Sequence, residues 1–186
     1  MGMDQEFSSS GLLDAWDDTL LAITRLTPVV SQEGVVFKRL LDLLAAQPTT
    51  SAIGRALTHI GTDLSFAAHD GGGPIERRAN QLRHAQEFLR VGLSLEPMQG
   101  RMWFHLAEVS WAVQDNVQAI QAFENYLEEE VDDGDAHAKV ANCYWKMMRY
   151  AKARAHAELA LQLSAEGSGS AIIAKLTLDD LNKLES

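Results

Sequence analysis

The 186 residues predict an all-α protein built from stacked helical hairpins, and three observations support this. Residues 100–133 superimpose on residues 134–167 at a spacing of 34, so that Gly100 meets Gly134, Ala107 meets Ala141 and Trp111 meets Trp145. Ala119 meets Ala153, Glu124 meets Glu158 and Leu127 meets Leu161 in the same register. Apolar residues inside each segment recur at helical spacing, with no strand-like alternation. A period of this length marks helical units that cannot bury an apolar face alone and stack on their neighbours to do so.

Residues 1–9 are polar and Ser-rich and read as a flexible N-terminus. An N-terminal helical region, 10–48, follows. Its first helix starts at Ser10 as cap and runs to about Leu26, with Leu13, Trp16, Leu20 and Ile23 at helical spacing, and Pro28 ends it. The second begins after Ser31 and reaches about Ala46, with Val36, Leu40, Leu43 and Leu44 inward, and Pro48 closes it. The repeat array, 49–186, opens with a third helix capped by Thr49 or Thr50 and reaching about Phe66. Residues 67–76, AAHDGGGPIE, predict an exposed, mobile insertion, because three glycines and a proline disfavour a helix. A helix over about Glu76–Leu95 ends before Pro97. Its Ala85, Leu89 and Leu93 precede Ala119, Phe123 and Leu127 by 34 residues. Leu57, Ile60, Gly61 and Leu64 supply its partner helix, displaced by 12 residues towards the N-terminus by the insertion. GSGS at 167–170 reads as a linker, and residues 171–184 read as a solubilising helix that caps the last repeat. The total is about nine helices in three repeats, with helical caps at both ends.

Acids outnumber bases 26 to 16, a formal charge of −10, which argues against a nucleic-acid surface. The charge is uneven: −4 over residues 1–66, zero over 67–99 and −6 over 100–186. The lone Cys143 cannot form an internal disulfide and sits in a helical pattern, where it reads as a small apolar packing residue. No secretory leader is legible, and no apolar run approaches the roughly 20 residues needed to span a bilayer. The expectation is a cytoplasmic protein without membrane insertion.

Chemistry-bearing patterns are sparse. Gly71–Gly73 lack the Lys-Ser/Thr pair of a phosphate-binding loop. His59, His69, His84, His105, His137 and His156 show no metal-ligand spacing and read as scattered surface or packed side chains. His137, at an aromatic position of the repeat, reads as packed. The run EEEVDDGD at 128–135 lacks the alternating ligands and central glycine of a calcium loop. It is either a solvated charge run or a docking patch for a basic segment. No cofactor and no metal are expected.

The repeat resembles the tetratricopeptide repeat, in which a Trp-x-x-Leu-Gly-x-x-Tyr helix precedes an Ala-x-x-x-Phe helix and a proline. Trp103, Leu106, Ala107, Ala119 and Phe123 match in the middle unit, with Ser110 in place of Tyr and Val131 in place of Pro. Val140, Ala141, Tyr144 and Ala153 match in the last, where His137 replaces Trp and Ala157 replaces Phe. Gly61, Ala85, Leu89 and Pro97 match in the first, so the resemblance covers about residues 54–167. It places Ala107, Ala119, Ala141 and Ala153 where helices approach closely, with Leu106, Phe123 and Val140 filling the space between.

The resemblance also implies a concave groove that holds a partner's peptide. Arg101, Phe104, Glu108 and Trp111 form a stripe separate from the packing residues Leu106, Ala107 and Ser110. Asp135, Ala138, Asn142 and Trp145 continue it one unit on, with Lys139 and Lys146 beside them. Trp111 and Trp145 are then either binding anchors or residues covered by the chain's own N-terminal helices. Ala138 stands where the clamp for heat-shock chaperone C-termini has Lys, so that partner is not expected. The predicted function is a non-enzymatic adaptor or scaffold, or a chaperone, binding a protein or peptide. A narrower alternative is similarity, over residues 85–163, to bacterial chaperones of type III secretion translocators. An enzyme with a helical active site is the alternative from another class. Residues 10–48 either cap the array or pair two copies in a homodimer.

Overall fold

The structure, a computed structural model, describes residues 49–70, 74–97 and 100–185, and all regular structure in them is α-helical. The helices are α1 (Thr50–Asp70), α2 (Ile75–Leu95), α3 (Arg101–Ala112), α4 (Asn116–Leu127), α5 (Gly134–Lys146), α6 (Tyr150–Leu163) and α7 (Gly169–Glu185). The expectations for residues 1–9 and 10–48, including a homodimer through that region, lie outside the described residues.

Local chemistry sets most helix ends. Thr49 Oγ1 accepts from the Ala52 amide ahead of α1, Asp115 from Gln118 ahead of α4, and Asp133 from Asp135 and Ala136 ahead of α5. Pro74 precedes the first turn of α2, whose end falls just before Pro97.

The 34-residue period reappears in the backbone as a duplicated turn. Between α3 and α4 the amides of Val113, Gln114 and Asp115 donate to Val109, Trp111 and Ser110. Between α5 and α6, Met147, Met148 and Arg149 donate to Cys143, Trp145 and Tyr144, the same positions one period on. Gln114 (φ 64°) and Met148 (φ 57°) are both left-handed, the conformation that ends a helix when a donor reaches back to its last turn. At the ends of α2, α4 and α6, Glu96 donates to Gly92, Glu130 to Tyr126 and Ser164 to Ala160, again one period apart.

Three antiparallel pairs, α1–α2, α3–α4 and α5–α6, pack side by side. Helices α2 and α4 lean on α3 and α5, the first arms meet as α1–α3 and α3–α5, and α7 covers both α5 and α6. In the first pair the approach is closest at glycine: a Cβ on Gly61 would lie 2.7 Å from Leu89 Cγ and 2.9 Å from the Ala85 oxygen. One continuous core runs through Ile53, Leu57, Phe88, Leu89, Leu106, Phe123 and Val140, each fully buried and each contributing about 1.5–3 kcal/mol. A second cluster, where α7 meets α5 and α6, has alanines as its buried residues (Ala138, Ala141, Ala157, Ala160 and Ala174), with Ile173 and Leu178 packed against them. Ala107, Ala119, Ala141 and Ala153, expected at close approaches, are all fully buried.

Two expected boundaries are corrected. Helix α1 continues through Ala67–Asp70 and α2 begins at Ile75, so most of the insertion expected over 67–76 is helix. Ala67 and Ala68 are strong helix formers, and Ala68 is buried. Likewise α7 starts inside GSGS, because the Ser168 hydroxyl accepts from the Ala171 amide and caps it.

Candidate functional site

Helices α3 and α5 lie beside each other and put five of the eight sequence-selected groove residues into one contact network. Lys139, on α5, is the hub. Its Nζ donates to Glu108 Oε1 of α3 at 2.6 Å and to Asp135 Oδ2, one turn back on its own helix, at 2.7 Å. The same ammonium lies 5.8 Å from the Phe104 ring centroid and 5.4 Å from that of Trp111. Trp111 Nε1 donates to Asn142 Oδ1 at 3.4 Å, a long bond that adds a second tie between the helices. A cation held between two carboxylates and two aromatic faces loses little on partial burial, because each replaces part of its hydration.

The electrostatics follow from that enclosure. Burial pushes the Glu108 carboxyl above the ordinary range, and Lys139 pulls it only part of the way back. Lys139 is itself penalised by burial, yet its bonds to Asp135 and Glu108 outweigh this and hold it above the usual lysine range.

Helix α3 presents Phe104, Glu108 and Trp111 at i, i+4 and i+7, one stripe of a helical surface. Phe104 also packs edge-on against Phe123 and tilts against Tyr126 of α4, which stiffens it from behind. Trp111 and Trp145 are both half-buried and pack on the main core, so each is part scaffold and part surface. Trp145 Nε1 is buried and has no acceptor among the described residues. Arg101 and Lys146 are exposed at the edges of this face.

The stripe expected on α5 is corrected at one position. Ala138 does not face the groove; it is fully buried in the alanine cluster, where α7 covers α5. Lys139, expected beside the stripe, is its centre. The sequence pattern missed this because the 34-residue register maps Phe104 onto Ala138, whereas the added helix α7 occupies that side of α5 alone.

Sequence reasoning also missed a second constellation. His137 and His156, 19 residues apart, come together from the two arms of the last hairpin with their Nδ1 atoms at 3.0 Å. No spacing on one helix signals this; only the hairpin pairing does. Asp133 and Asp135, in the acidic run, are used locally as cap and as lysine partner, while Glu128, Glu129, Glu130 and Asp132 are exposed. Tyr126 donates to Asp133 Oδ2 at 2.8 Å and ties that connection to α4.

Among the described residues no group of three His, Cys, Asp or Glu side chains could hold a metal ion. Burial pushes the Cys143 thiol up to about 11, which fits the expected packing role, since the thiolate is the reactive form. No helix in these residues is long and apolar enough to cross a membrane. In comparisons with known proteins, no family model and no curated protein matches the chain.

Proposed function

We propose that the chain is a non-enzymatic protein-binding module of tetratricopeptide type, and that the face shared by α3 and α5 holds a segment of a partner protein. The observation that carries this reading is the Lys139 network. It gathers Phe104, Glu108, Trp111 and Asn142 on one face and holds them to one another, and preorganised aromatic and polar groups bind at a low entropic cost. The duplicated turn at Gln114 and Met148 supports the repeat architecture that such a face requires.

Half-buried Trp111 and Phe104 are the anchors in this reading, and Arg101 and Lys146 steer an acidic or carboxylate-bearing segment to the edge of an otherwise acidic molecule. A photoreactive residue at Arg101 or Lys146 should crosslink a defined partner from the native host. The same probe at Val117, exposed on α4, should not. Equal labelling from both positions, or labelling that survives Trp111→Ala unchanged, would place the partner elsewhere.

A further inference from the structure

His137 Nε2 lies 3.1 Å from the backbone oxygen of Val131, in the connection between α4 and α5. A carbonyl oxygen only accepts, so Nε2 carries a proton, and neutral His137 offers Nδ1 as an acceptor. His156 is then the Nδ1–H donor across the 3.0 Å contact. His137 is buried, and its ring stands 5.2 Å from that of His156, which in turn lies 5.7 Å from the Tyr144 ring.

This arrangement counts protons. One added proton gives the two imidazoles three N–H groups, so one of the facing Nδ1 atoms still keeps a lone pair and accepts from the other. The bond survives. A second proton places an N–H on both facing Nδ1 atoms and a positive charge on each of two rings 5.2 Å apart. No acceptor then remains between them, and the contact breaks.

The surroundings do not rescue the second charge. From α4, Glu124 attracts it, but its Oε1 already accepts from Tyr144 of α5 at 2.7 Å. Lys152 of α6 repels it, with its ammonium 3.3 Å from the Tyr144 hydroxyl. Tyr126 of α4 and Asp133 of the connection bond to each other. Of the charges that act on His156, none comes from α7. Burial first, and His137 second, hold His156 below the usual histidine range.

We propose that His137 and His156 form a proton-limited latch between the two arms of the last hairpin, one that tolerates a single proton and opens with the next. The inference does not depend on the proposed groove. The latch ties both arms of the last hairpin to the α4–α5 connection through Val131, so opening it loosens α6 and the helix α7 that rests on it. A histidine held below its unfolded value stabilises the fold above that value, and the stabilisation is lost as pH falls through about 6.5 and below.

The test is urea unfolding of the full chain between neutral pH and pH 5, beside His156→Gln. Glutamine can donate to or accept from His137 Nδ1 and does not titrate. The wild-type unfolding constant should rise by up to about tenfold per pH unit more than that of the variant, the slope for one proton excluded from the folded state. The other histidines are common to both proteins and cancel. Equal slopes overturn the proposal. Should His156→Gln fail to fold, nitrogen-15 spectra of the wild-type imidazoles decide. Nε2–H on His137 with Nδ1–H on His156 at neutral pH supports the latch, and any other pairing of tautomers overturns it.

Discussion

The second and last hairpins share a backbone and differ in what fills them. Helix α4 buries Ala119, Ile120, Ala122, Phe123 and Tyr126, whereas α6 buries only Ala153, Ala157 and Ala160. At the 34-residue spacing, Phe123 is replaced by Ala157, Ala122 by His156 and Tyr126 by Ala160. The turns that join the arms nevertheless bond atom for atom alike. The turn geometry is therefore set by the backbone and its left-handed residue, while the side chains answer to whatever helix comes next. Behind α4 comes α5; behind α6 comes α7, lying on small side chains close to the alanine cluster.

Exchanging the two fillings should break the fold in opposite ways, and with the largest effects. Phe123→Ala removes a fully buried ring and should cost about 3–5 kcal/mol through the cavity it leaves. Ala157→Phe would restore the residue of the second hairpin but meet α7, and should cost on the order of 1–3 kcal/mol through overpacking. Chemical denaturation of both variants checks this. An Ala157→Phe protein as stable as wild type would mean that α7 is not seated on α6 as described.

Lys139 marks the same asymmetry, because it has no counterpart in the second hairpin: the equivalent residue is His105, which burial and Arg101 hold below the usual histidine range. Lys139→Met should destabilise by about 2 kcal/mol at neutral pH by leaving Glu108 and Asp135 without a cation, both being only partly shielded from water. Burial raises the Glu108 value even with the lysine present, so in the variant stability should recover as falling pH neutralises that carboxyl. A loss of the same size at pH 7 and near pH 4 would show that lost packing, not unpaired charge, is the cause.

The helical class, the hairpin period and most of the core were legible in the sequence because they depend on local spacing. Leu106, Ala107, Ser110, Ala119 and Ala153 are buried as their register predicts, and so is His137. What escaped was set by neighbours. Leu127 and Leu161 match in sequence, yet Leu127 packs on the core and Leu161 is exposed, since α4 is followed by the next hairpin and α6 by the single helix α7. Ala138 left the predicted groove for the same reason, and Lys139 took its place. The extension of α1 to Asp70 was hidden by the glycines that follow it, which weakened the helical reading of the four residues before them. The histidine pair needed contact between two helices, a relation that no single-helix spacing encodes.

Trp111 sharpens the comparison at the level of function. Its ring lies beside Lys139 and its indole N–H reaches Asn142, so it bridges the two hairpins. If the proposed groove is correct, Trp111→Ala should weaken partner binding by about 2 kcal/mol. Its stability loss should fall short of that of Leu106→Ala, roughly 2–5 kcal/mol for a fully buried leucine. Binding by calorimetry, set beside urea midpoints, separates the effects. Unfolding as severe as that of Leu106→Ala would make the tryptophan core alone.

The smallest effect tests what the hairpins have in common. Gln114 and Met148 both carry positive φ, at 64° and 57°, a conformation that costs a residue with a Cβ roughly 1–2 kcal/mol. Glycine relieves that cost but gains freedom in the unfolded chain, which takes back about 0.5–1 kcal/mol. Gln114→Gly and Met148→Gly should therefore each stabilise by on the order of 0.5 kcal/mol, with the same sign in both hairpins. Met148 is largely exposed, so little packing is lost with its side chain. Similar small upward shifts in midpoint would show that the turn is one device used twice, indifferent to the fillings on either side of it. Opposite signs would mean that side chains, and not the left-handed backbone, hold at least one of the turns in place.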